Sequence, residues 1–144
     1  MKHVWLALSA TLALSACATG ISSTGYGKNA DKLALYRAHV TEQVSSIPFS
    51  GSIHNWMPLG ETALVVWTGP SRAWLLELGS KCPYMDYSYA IGFDGRDNRI
   101  SAGFDSVVPL GGAGPNIPCR IDSIHRVDVP AVRAAERAQE APGA

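Results

Sequence analysis

Thr62-Ala63-Leu64-Val65-Val66-Trp67-Thr68, the turn Gly69-Pro70-Ser71-Arg72, and Ala73-Trp74-Leu75-Leu76-Glu77-Leu78 form the stretch that decides the fold. The first segment is a continuous apolar run rather than an alternating one, which is the pattern of a central strand buried on both faces. The middle segment is a turn by its Gly, Pro and Ser content. The third follows at hairpin distance, so the two strands should pair antiparallel.

Working toward the C-terminus, Lys81 to Tyr84 makes a corner around Cys82, and Tyr87 to Phe93 reads as a strand. Asp94 to Asn98 (DGRDN) has the Asp-Gly and Asn content of a hairpin turn, and Arg99 to Val108 returns as a strand. Pro109 to Pro118 (PLGGAGPNIP) is a loop with three glycines and three prolines. Cys119 to Val127 is the last strand. Its apolar residues Ile121, Ile124 and Val127 are three apart, which predicts a bulge. Asp128 then caps a helix with Pro130 in its first turn, running to about Gln139, with a weak apolar face that suggests loose packing.

Toward the N-terminus, Gly51 to Trp56 is a short strand. Asn29 to Val44 has Leu33, Tyr36, Val40 and Val44 at helical spacing, with Asn29 or Asp31 as cap, and Ser45-Ser46-Ile47-Pro48 stops it. The expected fold is α+β, mostly β. An N-terminal helix packs on a five- or six-stranded antiparallel sheet or small barrel, with a short C-terminal helix. An all-β sandwich without helix packing is the alternative. No internal repeat is visible.

Composition narrows the functional classes. The chain has 144 residues, 12 Lys+Arg against 12 Asp+Glu, and 47% apolar residues. That length suits one domain, and the balanced charge lacks the basic footprint of a nucleic-acid-binding protein. The apolar content is too high for a disordered chain.

The first residues read as an address. Met1-Lys2-His3 is a basic start, and Val4 to Leu14 is apolar except for Ser9 and Thr11, too short to span a bilayer but suited to a secretory h-region. Leu14-Ser15-Ala16-Cys17 matches a bacterial lipobox, in which small side chains admit the peptidase and the thiol accepts the lipid. The expected organisation is a signal peptide over 1–16, lipidation at Cys17, a tether over 17–28, a globular domain over 29–140 and a frayed tail over 141–144. Two or three acyl chains on Cys17 would anchor the protein firmly in the bilayer. Ala18 follows Cys17 where an inner-membrane retention signal would carry Asp, which points to the inner leaflet of the outer membrane, facing the periplasm.

Export leaves Cys82 and Cys119 in an oxidising compartment, where two thiols default to a disulfide. A closed loop of about 38 residues should contribute on the order of 4 kcal/mol. Neither cysteine has a histidine in metal-ligand spacing, His125 six residues beyond Cys119 aside, and no cofactor or metal is expected.

The strand region resembles a family of small Gram-negative bacterial lipoproteins classed only as a domain of unknown function. The resemblance rests on Trp56 with Leu59-Gly60, Leu64-Val65-Val66-Trp67-Thr68, Ala73-Trp74-Leu75-Leu76, Cys82 and Ala90-Ile91-Gly92. It continues through Phe104-Asp105-Ser106-Val107, Cys119-Arg120-Ile121, Ile124 and Val127-Asp128. It spans about residues 50–128, leaves the loop 109–118 outside, and implies the lipoprotein character and the paired cysteines but no activity.

Few residues carry chemistry by pattern. His39, His54 and His125 stand in separate elements, and there is no G-x-S-x-G elbow or phosphate loop. Asp105, Arg120, Asp122 and Asp128 interrupt apolar strands. An ordinary solvent face accounts for them, and an Asp105–Arg120 ion pair fixing strand register is the sharper reading. Tyr84, Tyr87 and Tyr89 divide between core and a contact surface for a partner.

The expectation is a non-catalytic binding module at the envelope, contacting a protein or the cell wall. A sharper variant is an inhibitor or immunity protein that inserts the loop 109–118 into an enzyme cleft. The competing readings are a small hydrolase, using His125 or His54 beside Asp105 or Asp122, and a structural envelope protein.

Overall fold

The computed structural model describes residues 26–141. The expected signal peptide over 1–16, the expected lipidation site Cys17, most of the expected tether over 17–28 and the last three residues lie outside the described span.

The central hairpin forms as its sequence dictates. Strand β4 (Ala63–Gly69) pairs antiparallel with β5 (Arg72–Leu78), Val65 opposite Leu75, and Ala63 to Val66 are fully buried. Parity sends these side chains to two sides. Leu64, Val66, Trp74 and Leu76 enter one core, and Ala63, Val65, Ala73 and Leu75 enter another. Each large aliphatic side chain buried this way contributes about 1.5–3 kcal/mol.

Strand β9 (Cys119–Val127) lies beside β5 and has the expected bulge. Glu77 faces Ser123 and Leu78 faces Ile121, so Asp122 is the extra residue. The bulge resets the parity, and Ile121 and Ile124 therefore enter the same core despite their spacing of three. Three further strands join the same sheet: β3 (Asn55–Pro58), β6 (Ala90–Phe93) and β8 (Ser106–Leu110). The sheet runs β3-β4-β5-β9-β8-β6, with β1 (Val40–Val44) also on β9, and it stays open rather than closing into a barrel. A separate ribbon pairs β2 (Ser46–Pro48) with β7 (Arg99–Ser101).

Three expected elements are redrawn. The helix read over Asn29 to Val44 is α1, Tyr26–Ala38, which starts inside the expected tether. Its former last turns are β1, because β-branched Val40, Thr41 and Val44 find an open edge on β9. The strand read over Arg99 to Val108 divides at Ala102–Asp105 into β7 and β8. Asp94 to Asn98 consequently does not close a hairpin, since β6 pairs with β8 and β7 with β2. The strand read over Gly51 to Trp56 begins only at Asn55.

Helices α1 and α2 (Val129–Glu140) cover one face through Leu33, Tyr36, Val129 and Val132. Asp128 caps α2 as expected, its carboxylate accepting from the Ala131 N–H at 3.0 Å. Arg37 of α1 meets Glu77 of β5 with two hydrogen bonds of 2.7 Å. The opposite face is covered by Ile47 and Ile100 of the β2–β7 ribbon and by Cys82 and Met85 of the corner that follows β5. The fold is therefore α+β with helices packed on the sheet, and the sandwich alternative falls away.

Candidate functional site

That corner is built from residues 82 to 89. Cys82 and Met85 are fully buried and pin it to the core, while a 3₁₀ turn over Met85–Tyr87 reverses the chain. Tyr84 precedes the turn with φ 69°, a left-handed backbone that costs a bulky residue on the order of 1–3 kcal/mol. The pinned neighbours hold it there. The Tyr84 carbonyl accepts from the Tyr87 N–H at 3.1 Å and from the Ser88 hydroxyl at 2.8 Å.

With Met85 pointing inward, the tyrosines point outward: Tyr84 is 42% exposed, Tyr87 71% and Tyr89 86%. All three are therefore surface residues, and none of them belongs to the core. Tyr84, Tyr87 and Tyr89 line an open recess of about 560 Å³ together with Asp86, Ser88 and Ala113.

The loop 109–118 is part of the same site. Gly111 approaches the Tyr89 ring, Gly112 the Tyr87 carbonyl and Ser88, and Gly114 the face of the Tyr84 ring. The Tyr89 N–H donates to the Leu110 carbonyl at 3.2 Å, where β6 begins its pairing with β8. The Cys82–Cys119 disulfide, Cα–Cα 5.6 Å, joins the start of the corner to the end of the loop. Close contact thus excludes a side chain at Gly114 and crowds one at Gly112, while Gly111 sits at a left-handed φ of 71°, and two features that are separate in sequence form one stapled surface.

Asp86 gives this surface a charge that the sequence did not advertise. Its Oδ2 accepts from Asn29 Nδ2 at 3.4 Å, linking the corner to α1, and its buried Oδ1 has no partner among the described residues. Burial, with Glu61 adding repulsion, raises its pKa above the ordinary carboxylate value, against the lowering influence of the nearby Gly60 backbone and of Asn29.

The other sequence candidates are dispersed. Asp105 and Arg120 go to backbone, not to each other: Asp105 Oδ2 accepts from the Ser101 N–H at 2.6 Å, and the Arg120 guanidinium donates to the Gly103 carbonyl at 3.1 Å. Both brace the β7–β8 connection, whose carbonyls and N–H groups need partners once the strand divides. His125 meets Ser123 at 3.0 Å, and His39 Nδ1 lies 2.8 Å from the Leu35 carbonyl. Asp122 is exposed at the bulge, and His54 is exposed just before β3. Among the described residues no histidine hydrogen-bonds to a carboxylate, and no three His, Cys, Asp or Glu side chains converge as a metal site.

The model of the family DUF6491 matches residues 1–143. The chain belongs to DUF6491, a family of unknown function. Among curated proteins and among solved structures, none matches it. The DUF6491 match extends well beyond residues 50–128 and includes the loop 109–118, so the stapled corner lies wholly within the family's span.

Proposed function

We propose that this DUF6491 protein is a lipid-anchored periplasmic protein, held at the inner leaflet of the outer membrane through Cys17, and that it acts as a non-catalytic interaction module. Its contact surface is Tyr84, Tyr87 and Tyr89 with the loop 109–118, and its partner is a protein of the envelope. The observation that carries the reading is the outward display of three tyrosines on a corner fixed by a disulfide and a buried methionine. Tyrosine offers large, rigid contact area at low entropic cost, and preorganisation keeps the cost of binding low. The same rigidity supports the sharper variant, an inhibitor or immunity protein, because the glycine loop is backed by aromatic rings instead of standing alone.

The test is crosslinking in intact cells followed by purification and mass spectrometry. A single stoichiometric protein partner is expected, lost on deletion of residues 110–117 or on Tyr87→Ala with Tyr89→Ala. Recovery of wall fragments, or of no partner above background, would overturn the assignment. Changing Cys17 to Ser should release the protein from membranes.

A further inference from the structure

A second concavity lies on the opposite layer, where the end of α1, the first turns of α2 and the β4–β5 turn converge. It holds about 240 Å³, a volume suited to a molecule of amino-acid size rather than to a polymer. Its walls divide sharply by chemistry. Trp67 and the buried Val132 supply an apolar side, while Tyr36, Arg133, Glu136 and His54 supply polar groups.

Helical spacing explains the polar side. Val129, Val132, Arg133 and Glu136 recur at i, i+3, i+4 and i+7, so one stripe of α2 packs its valines on the sheet and carries its two charges to the cleft. Arg133 and Glu136 are three apart, close enough on a helix to neutralise each other. Among the described residues, however, neither has a salt-bridge partner, although Arg37–Glu77, Lys81–Glu61 and Arg126–Glu42 all pair elsewhere.

Both charges bear instead on the phenol of Tyr36, a residue only 4% exposed. Burial, reinforced by Glu136 and opposed by Arg133, pushes that phenol up to about 12, so it remains an O–H donor throughout the physiological range.

We propose that this cleft binds a small zwitterion of the α-amino-acid class, with Arg133 and the Tyr36 hydroxyl holding the carboxylate, Glu136 the ammonium, and Trp67 and Val132 an apolar side chain. Opposite charges one helical turn apart match a ligand whose own two charged groups are carried by a single carbon. A plain anion or a plain cation would meet one repulsive group. The site is independent of the tyrosine corner, and a partner found or missed there leaves it standing.

The test uses the purified full chain with L-leucine, L-phenylalanine and L-alanine as probes, read by amide chemical shifts of α2 and by tryptophan fluorescence. Leucine and phenylalanine should bind saturably. Leucinamide, which lacks the carboxylate, and N-acetyl-leucine, which lacks the ammonium, should each bind at least about tenfold more weakly, since each forfeits a charge-assisted contact. Arg133→Ala and Glu136→Gln, both on the wet side of α2, should weaken leucine by a similar factor while leaving the thermal melt in place. Absence of saturable binding by all three amino acids would overturn the proposal. So would equal binding of leucine and its two blocked forms, which would reduce the cleft to an apolar patch.

Discussion

Gly114 lies flat against the ring of Tyr84, so close that a Cβ on Gly114 would stand 2.5 Å from the ring carbons. No real Cβ tolerates that distance, so a side chain at 114 must displace either the ring or the loop. Gly114→Ala is therefore expected to destabilise by about 1–3 kcal/mol, the usual cost of overpacking. In a Tyr84→Ala background the same change should cost little. Thermal melts of the two single variants and the double variant measure this coupling, and strictly additive effects would show that the contact is not formed.

The disulfide should matter for the same surface. It joins Cys82, which is fully buried, to Cys119, 4% exposed at the end of the loop. Replacing both cysteines with alanine should cost about 2–5 kcal/mol. A reductant should lower the melting temperature of the wild type toward that of the variant and leave the variant unmoved.

Tyr87 and Tyr89 separate folding from recognition. They are 71% and 86% exposed, so Tyr87→Ala and Tyr89→Ala should remain within about 0.5 kcal/mol of wild-type stability. Crosslinking to the proposed envelope partner should nonetheless be lost. A substantial drop in melting temperature would place these rings in the core after all.

Asp86 makes a prediction with a defined sign. Its pKa is raised above 3.8, first by burial and then by Glu61. As pH rises past the ordinary carboxylate value, the unfolded chain loses this proton before the folded one. The folded state then carries a growing cost, complete once the pH exceeds the raised value. Asp86→Asn removes that cost and should be more stable than wild type at neutral pH. Denaturant titrations should show the difference vanishing at pH below 3.8, where both states of the wild type are protonated.

The elements readable from sequence were those whose signals are local. The β4–β5 hairpin follows from an apolar run and a turn, the α2 cap from Asp128, and the β9 bulge from the spacing of Ile121 and Ile124. Long-range competition hid the others. Val40 to Val44 fits a helix by period, and only the open edge of β9 makes it a strand. The division of Arg99 to Val108 likewise depends on β7 leaving the sheet to pair with β2. At the site, the tyrosines were visible as a cluster, but the reason for three glycines in the loop was not, because their neighbours lie more than twenty residues away in sequence. Asp86 carried no sequence signal at all, since its significance comes from Asn29 and Gly60, brought to it by the fold.

The position of β9 has a consequence in time. It is the last strand in chain order among the described residues, yet β1, β5 and β8 all pair with it. Until residue 127 is available, those three strands have open edges, and such edges invite pairing between chains. A chain delivered from its N-terminus must therefore wait, with its helix α1 and its central hairpin in hand, until residue 127 has arrived. Folding should be a late, concerted closure rather than a growth from the front, and a stop anywhere before Cys119 should yield an aggregating fragment rather than a smaller domain.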